Sequence, residues 1–380
     1  MQTMNKNSFV YGVAVTGYHF IGREAETRRL KANFEGGINT ILISPRRWGK
    51  TSLVKHVCQL IDREKVIPVF VDIYSCKSEY DFYNVLSAAV LKQTASTKER
   101  WMDNARDFLS RLMPKISVSP EPNSDFSLSL GITPKTHSPE EILQLVENIA
   151  IKKKKRILVC IDEFQQIGEF PESLAVQKRL RTVWQHQQLT SYCLFGSKKH
   201  MMSSIFQKRN MPFYQFGDTL FLKLIATEQW TPYIISHFEQ FGRKISEAQA
   251  EWICNTVENH SAYVQQLAWM VFCLVNPGEE VTEDILQSAL SDLFDSNELI
   301  FMQQIEPLTT YQMNFLRAVS DGIHKDFGDR EIREGYNLGS NSNITRLKTA
   351  LLARDIIDTD GAGIYFTDPL FKQWWKRKQF

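Results

Sequence analysis

Two hydrophobic periods alternate along this chain. Residues 38–43, INTILI, are a short apolar run between Gly36-Gly37 and Ser44-Pro45, which predicts a buried strand. From Thr51 the period lengthens: Leu53, Val54, Val57, Leu60 and Ile61 recur at helical spacing. A second strand is expected over 66–73, VIPVFVDI, followed by amphipathic helices over 79–95 and 99–113. Residues 117–139 are rich in Ser and Pro, have no 3.6 period and read as a long surface excursion with a short hairpin around FSLSLGI. A helix over 139–151 starts on Ser138 as N-cap with Pro139 at its first position. A basic turn at 152–156, a strand at 157–161, a helix at 172–188 and a strand at 191–196 continue the alternation. Strands separated by helical crossovers predict a mostly parallel sheet covered on both faces.

After about residue 224 the strand signals stop, and 227–293 reads as four helices. In 309–320, Phe315, Leu316 and Val319 share a face; 328–340 reads as helix and turn. A further helix at 341–357 turns Ile344, Leu347, Leu351 and Leu352 inward, and DTDGAGIYFTD reads as a hairpin. Helix–turn–helix followed by a hairpin is the order of a winged helix, with 341–354 in the recognition position. The expected organisation is an α/β domain over 1–225, a helical domain over 226–300 and a winged helix over 301–380.

Composition changes this picture little. The 380 residues are 43% hydrophobic and 23% charged, near the globular average, and the net charge of +2 argues neither for nor against an anionic partner. Six scattered cysteines show no metal-like spacing, and several sit in apolar runs as small hydrophobes of a reducing compartment. The first residues lack a signal-peptide core, and no run approaches the roughly 20 apolar residues of a membrane span. A cytoplasmic protein without a membrane association is expected.

The candidate chemistry begins at ISPRRWGKTSLV. It follows a strand and opens a helix, as a phosphate-binding loop must, although Ser44 stands where G-x-x-x-x-G-K-[ST] starts with glycine. Backbone N–H groups of the loop and helix start would converge on phosphates. Pro45, Arg46, Arg47, Trp48, Gly49, Lys50, Thr51 and Ser52 therefore make up the candidate ATP/ADP cradle. Gly49 would allow close backbone approach, Lys50 would reach the β- and γ-phosphates, and the Thr51 hydroxyl would hold Mg²⁺. Arg46 and Arg47 read as surface or interface residues more than as triphosphate ligands. The second signal is RILVCIDEFQQI, an apolar strand ending in Asp162-Glu163. Asp162 would organise the metal, and Glu163 would polarise an attacking water for in-line transfer. Ser197, at the end of SYCLFGS, reads equally as a γ-phosphate sensor or as a helix cap.

Together, FIGREAETRRL, the PRRWGKTSL loop, VCIDEFQQI, LFGSKKHMM and PFY resemble the archaeal-ATPase group of AAA+/STAND P-loop NTPases over nearly the whole chain. In that group the first loop glycine is often replaced, and a Pro-Arg-Arg filling is common. The resemblance implies an Mg-dependent molecular-switch ATPase, with an adenine pocket near Phe20, Ile21 and Gly22 and near Val10–Tyr11. It implies a lid over 227–293, whose ENHSAYVQQLAW has Ser261 where the group usually carries proline, and which lacks an arginine at the usual lid-sensor position. Arg209, before NMPFY, is the candidate arginine finger, with Arg181 as the alternative.

Partners are the open part. Residues 305–380 hold 11 Lys/Arg against 10 Asp/Glu, without the positive field of most DNA readers, though Arg346, Lys348, Arg354, Asn341 and Asn343 could make a weak phosphate footprint. The basic run Lys152–Arg156 reads as a solvated turn more than as a nucleic-acid patch. DNA binding by a regulator or loader with a mainly structural nucleotide site, an ADP-locked protein-interaction scaffold and a homo-oligomer are all compatible with the sequence.

Overall fold

A computed structural model describes residues 9–95, 119–120, 128–129, 138–360 and 363–378. The expected helix at 99–113 lies outside them. So does most of the 117–139 excursion, whose described residues pair antiparallel, Ser119 with Ser129 and Pro120 with Leu128. The chain divides into two compact units, one over 14–223 and one combining the N-terminal residues through Val13 with those from Leu224 onward.

The first unit is a five-stranded parallel sheet. Its strands are β1 (Thr40–Ile43), β2 (Val66–Asp72), β5 (Arg156–Asp162), β6 (Thr190–Gly196) and β7 (Asp218–Phe221), in the order β2-β5-β6-β1-β7; β3 and β4 are the two-residue pair above. Every pairing in the sheet is parallel. Helices α1 (Glu24–Gly36), α2 (Lys50–Leu60), α3 (Glu79–Thr94), α4 (Pro139–Lys153), α5 (Ser173–Trp184) and α6 (Lys199–Phe206) connect and cover it. Alternate residues of one strand feed opposite cores. Ile157, Val159 and Ile161 join the cluster with Phe82, Leu86, Ile142 and Leu180, whereas Leu158 and Cys160 join Leu30, Phe34, Leu53 and Val57. Burial on both faces is why this strand reads as a continuous apolar run.

Local signals end the helices where the sequence places them. Ser138 accepts a hydrogen bond from Glu141 N while the Glu141 carboxylate accepts from Ser138 N, a capping box behind Pro139. Three details differ from expectation. Lys152 and Lys153 finish α4 and Arg156 opens β5, donating to Glu35 O at 2.7 Å, so the basic run serves two elements and not one turn. Leu60 is exposed although it shares the period of α2. Strand β7 carries no strong apolar signal. Asp218 N donates to Asn39 O at 2.8 Å, the Asp218 carboxylate accepts from Asn33 Nδ2 at 2.7 Å and from Arg29 Nε at 2.8 Å, and non-local partners thus hold it at the sheet edge.

The second unit contains α7 (Thr227–Gln240), α8 (Glu247–Thr256), α9 (Ser261–Leu274) and α10 (Glu283–Ile305), the four helices expected. Phe9 also belongs to it, buried against Tyr233, His237, Phe238 and Phe272. Beyond them lie α11 (Thr310–Ser320), α12 (Arg330–Gly335), α13 (Asn341–Ala353), the antiparallel hairpin β8 (Ile357–Asp360) and β9 (Gly363–Phe366), and α14 (Pro369–Lys378). Phe315, Leu316, Val319, Leu347 and Leu351 are buried, while Ile344 and Leu352 are half-buried. Trp374 and Trp375 are core residues: Trp374 meets Phe301 and Phe371, and Trp375 meets Phe366. Among the described residues no helix is long and apolar enough to cross a membrane.

Candidate functional site

Strand β1 stops at Ile43, and residues 44–49 turn directly into α2. Ser44 is not among the residues with positive φ, so the usual first glycine is not required here. It is buried, and its carbonyl and that of Pro45 accept hydrogen bonds from Lys50 Nζ at 3.2 and 2.9 Å. The Lys50 side chain is only 5% exposed, so its ammonium is folded inside the loop, where a phosphate-binding lysine must reside. Gly49 has φ +91°, while a Cβ built on it would meet nothing within 4 Å among the described residues. The dihedral, and not close approach by another group, reserves that position for glycine.

Thr51, in the first turn of α2, donates from Oγ1 to Asp162 Oδ2 at 2.7 Å. Asp162 ends β5, two strands from β1, and its Oδ1 accepts from Glu163 N at 2.9 Å. Burial pushes the Asp162 carboxyl up; the adjacent Glu163 charge adds to this, against the Thr51 and backbone hydrogen bonds and the Lys50 charge. A hydroxyl and a buried, under-compensated carboxylate side by side are hard oxygen donors suited to Mg²⁺. No cluster of three or more His, Cys, Asp or Glu that could hold a metal occurs among the described residues. Magnesium at phosphate sites needs only one or two protein oxygens beside the phosphates, so this donor pair fits.

Glu163 sits at φ +55°, turned out of the strand direction by the start of a short 3₁₀ segment, Phe164–Glu169. Its Oε2 accepts from Ser197 Oγ at 2.9 Å and from Gln165 Nε2, and Ser197 Oγ accepts from Arg46 Nε at 3.3 Å. The loop, the end of β5 and the end of β6 are joined by this chain. Ser197 does not cap α6: the N-cap residue is Lys198, with no side-chain cap bond. Ser197 is thus drawn to Glu163, and the cap alternative is set aside.

Other expected positions are less concentrated. Ser52 Oγ accepts from Val15 N at 2.9 Å. The Phe20 ring stacks on His56 with centroids 3.9 Å apart, and Ile21 and Gly22 lead from it into α1. Arg47 is exposed with φ +61°. Tyr11 is 42% exposed and belongs to the other unit. Arg209 is exposed in the turn after α6, and the Arg181 guanidinium lies 4.9 Å over the Phe216 ring. Neither arginine is joined to Glu163 or Lys50 by a hydrogen bond among the described residues.

Two residues are missing from the sequence reading. Arg23 is 5% exposed at φ +73°, and its guanidinium donates to Trp48 O at 3.2 Å and to Glu26 Oε1 at 3.3 Å; burial lowers its pKa against the Glu26 charge. It ties the start of α1 to the loop. Gln165 is 3% exposed beside Glu163. Both lie within quoted motifs, GRE and DEFQ, yet their partners are visible only in three dimensions.

No family model matches the sequence, and no curated protein matches it significantly. Solved structures do resemble it. A Walker-type ATPase of Pyrococcus abyssi superposes with TM-score 0.68 at 15% identity, covering 97% of this chain and 100% of that one. The Orc2 protein of Aeropyrum pernix, in its ADPNP–ADP complexes, superposes with TM-score 0.54 at 15% identity, covering 94% of each chain. The likeness concerns the fold. With β6 between the loop strand β1 and the Asp162 strand β5, this chain has the P-loop NTPase fold of the AAA+ type.

Proposed function

We propose that the protein is an Mg²⁺-dependent ATPase of the AAA+/STAND kind, slow in hydrolysis, whose nucleotide state sets the position of a winged-helix effector module formed by 301–380. The observation that carries this reading is the meeting of Thr51 and Asp162 at 2.7 Å, beside the buried Lys50 and at the start of a helix. In this reading the N–H groups of Gly49, Lys50 and Thr51 cradle the phosphates, and Lys50 exchanges the Ser44 and Pro45 carbonyls for phosphate oxygens. Thr51 Oγ1 and the Asp162 carboxylate would hold Mg²⁺, which would supply neutralisation of the phosphate charge. Glu163 accepts the proton of an attacking water, and Ser197 orients that carboxylate. Phe20, Ile21 and Gly22 contribute to the adenine side. Arg209 is a candidate finger toward a neighbouring copy, so specific activity would rise with protein concentration.

The test is nucleotide binding and turnover in paired variants. Lys50→Ala is expected to abolish binding, whereas Glu163→Gln keeps binding and stops turnover. Normal hydrolysis by Glu163→Gln refutes the assignment of the base.

A second reading, a DNA-binding regulator with a mainly structural nucleotide site, rests on Arg346, exposed on α13 and donating to Asn343 Oδ1 at 2.9 Å. It predicts salt-dependent DNA affinity that is lost on neutralising Arg346 and Lys348.

A further inference from the structure

We infer that Gln165 is a positioning residue for Glu163: its side-chain amide clamps one carboxylate oxygen so that the other is presented to the attacking water, and Gly196 exists to leave room for that amide. This inference rests on the reading of Glu163 as the base.

Three observations carry it. Gln165 Nε2 and Ser197 Oγ converge on the same oxygen of Glu163, Oε2. No hydrogen bond among the described residues reaches Oε1. Two donors on one oxygen fix the plane of a carboxylate and leave the second oxygen its full capacity to accept, the arrangement a base for water requires.

The second observation is the state of the amide's other end. Gln165 Oε1 is buried with no hydrogen-bond partner among the described residues. A buried unpaired carbonyl gives up its hydration with nothing to replace it, so a residue chosen for stability would not leave it there. The carboxylate demands the nitrogen on its own side, and the carbonyl is thereby turned toward Gly196. Such a cost borne beside reacting groups points to function.

The third observation is Gly196. It ends β6 with ordinary dihedrals, so backbone freedom does not explain it. A Cβ at this position would lie 1.8 Å from Gln165 Oε1, 3.0 Å from its Cδ and 3.1 Å from Met202 Sδ. The amide therefore occupies space that only glycine frees, directly before Ser197. Gly196 and Ser197 act as a pair, one admitting the first donor and the other supplying the second.

The experiment measures ATP turnover, nucleotide affinity and melting temperature of the full chain in three variants. Gln165→Met keeps the length of the side chain and removes both polar atoms. It is expected to lower kcat by about tenfold or more, the scale of a misoriented base, with KM and nucleotide Kd within about twofold of wild type and no loss of Tm. Gly196→Ala is expected to lower both kcat and Tm. Gln165→Ala/Gly196→Ala relieves the collision, so Tm recovers while kcat stays low. If Gln165→Met turns over within twofold of wild type, or if the double variant regains kcat together with Tm, the clamp is overturned. Turnover by Glu163→Gln would instead remove the reading beneath it, and the two failures are thus told apart.

Discussion

Replacing Asp162 by Asn should make the protein more stable and less able to use Mg²⁺. The carboxylate keeps two hydrogen bonds, from Thr51 Oγ1 at 2.7 Å and Glu163 N at 2.9 Å. An amide preserves both, because Oδ1 still accepts from Glu163 N and Nδ2 donates to the Thr51 hydroxyl with its role reversed. What disappears is a negative charge that burial and the neighbouring Glu163 disfavour. Each unit of such a shift is worth about 1.4 kcal/mol, and in a unit of this size each kcal/mol moves Tm by about 2–4 °C. A higher Tm at pH 7 is therefore expected without nucleotide.

The sign with pH follows from linkage. The folded-state pKa is raised, so the folded protein holds this proton more tightly than the unfolded chain. The penalty is absent below the unfolded value of about 3.9, grows as pH rises through the folded value, and is complete at neutral pH. The Tm advantage of Asp162→Asn should shrink as pH falls from 7 toward 4. Calorimetry across that range, with nucleotide titrations with and without Mg²⁺, reads both effects. An Asn variant that melts below wild type at pH 7, or whose advantage ignores pH, refutes the argument. So does Mg²⁺ enhancement of nucleotide binding equal to wild type.

Gly217→Ala should destabilise by more than about 2 kcal/mol, since its Cβ would lie 2.1 Å from Asn39 O and β7 cannot be displaced without losing the Asp218–Asn39 bond; urea melts in the normal range would contradict this. Arg29→Ala should cost at most about 1 kcal/mol, the pair being half exposed. The Arg29 hydrogen bonds hold the Asp218 carboxyl below its ordinary range, with Asn33 assisting against burial. That stabilisation exists above the unfolded pKa and is lost as pH falls through the folded one, so the deficit should fade in acid and in high salt. A thiol reagent should modify Cys273 alone of the six cysteines in the native protein, and all six after unfolding, because the other five are buried. Although exposed, the Cys273 sulfur is partly desolvated, which pushes its thiol up against the Arg243 charge, so its modification should quicken at alkaline pH; a second native-state thiol would refute the packing.

Much of the molecule is legible in its sequence, wherever structure depends on neighbours a few residues away. The strand–loop–helix at 40–60, the capping box at Ser138 and Glu141, and the run ending in Asp162-Glu163 are all local patterns, and the structure contains each. The alternation of strands and helices was enough to predict a parallel α/β sheet, because parallel strands need crossovers. Strand β7 was not legible, since Asp218 owes its place to Arg29 and Asn33, 189 and 185 residues distant. Nor was the chain from Arg46 to Ser197 to Glu163, whose members are 151 and 34 residues apart. Ser197 alone looks like a helix cap, Gln165 like a polar turn residue and Gly196 like a strand end. Hydrogen bonding within a turn is decided by local dihedrals and a few side chains. Which hydroxyl meets which carboxylate across a sheet is decided by strand order and packing, and only the folded chain sets those.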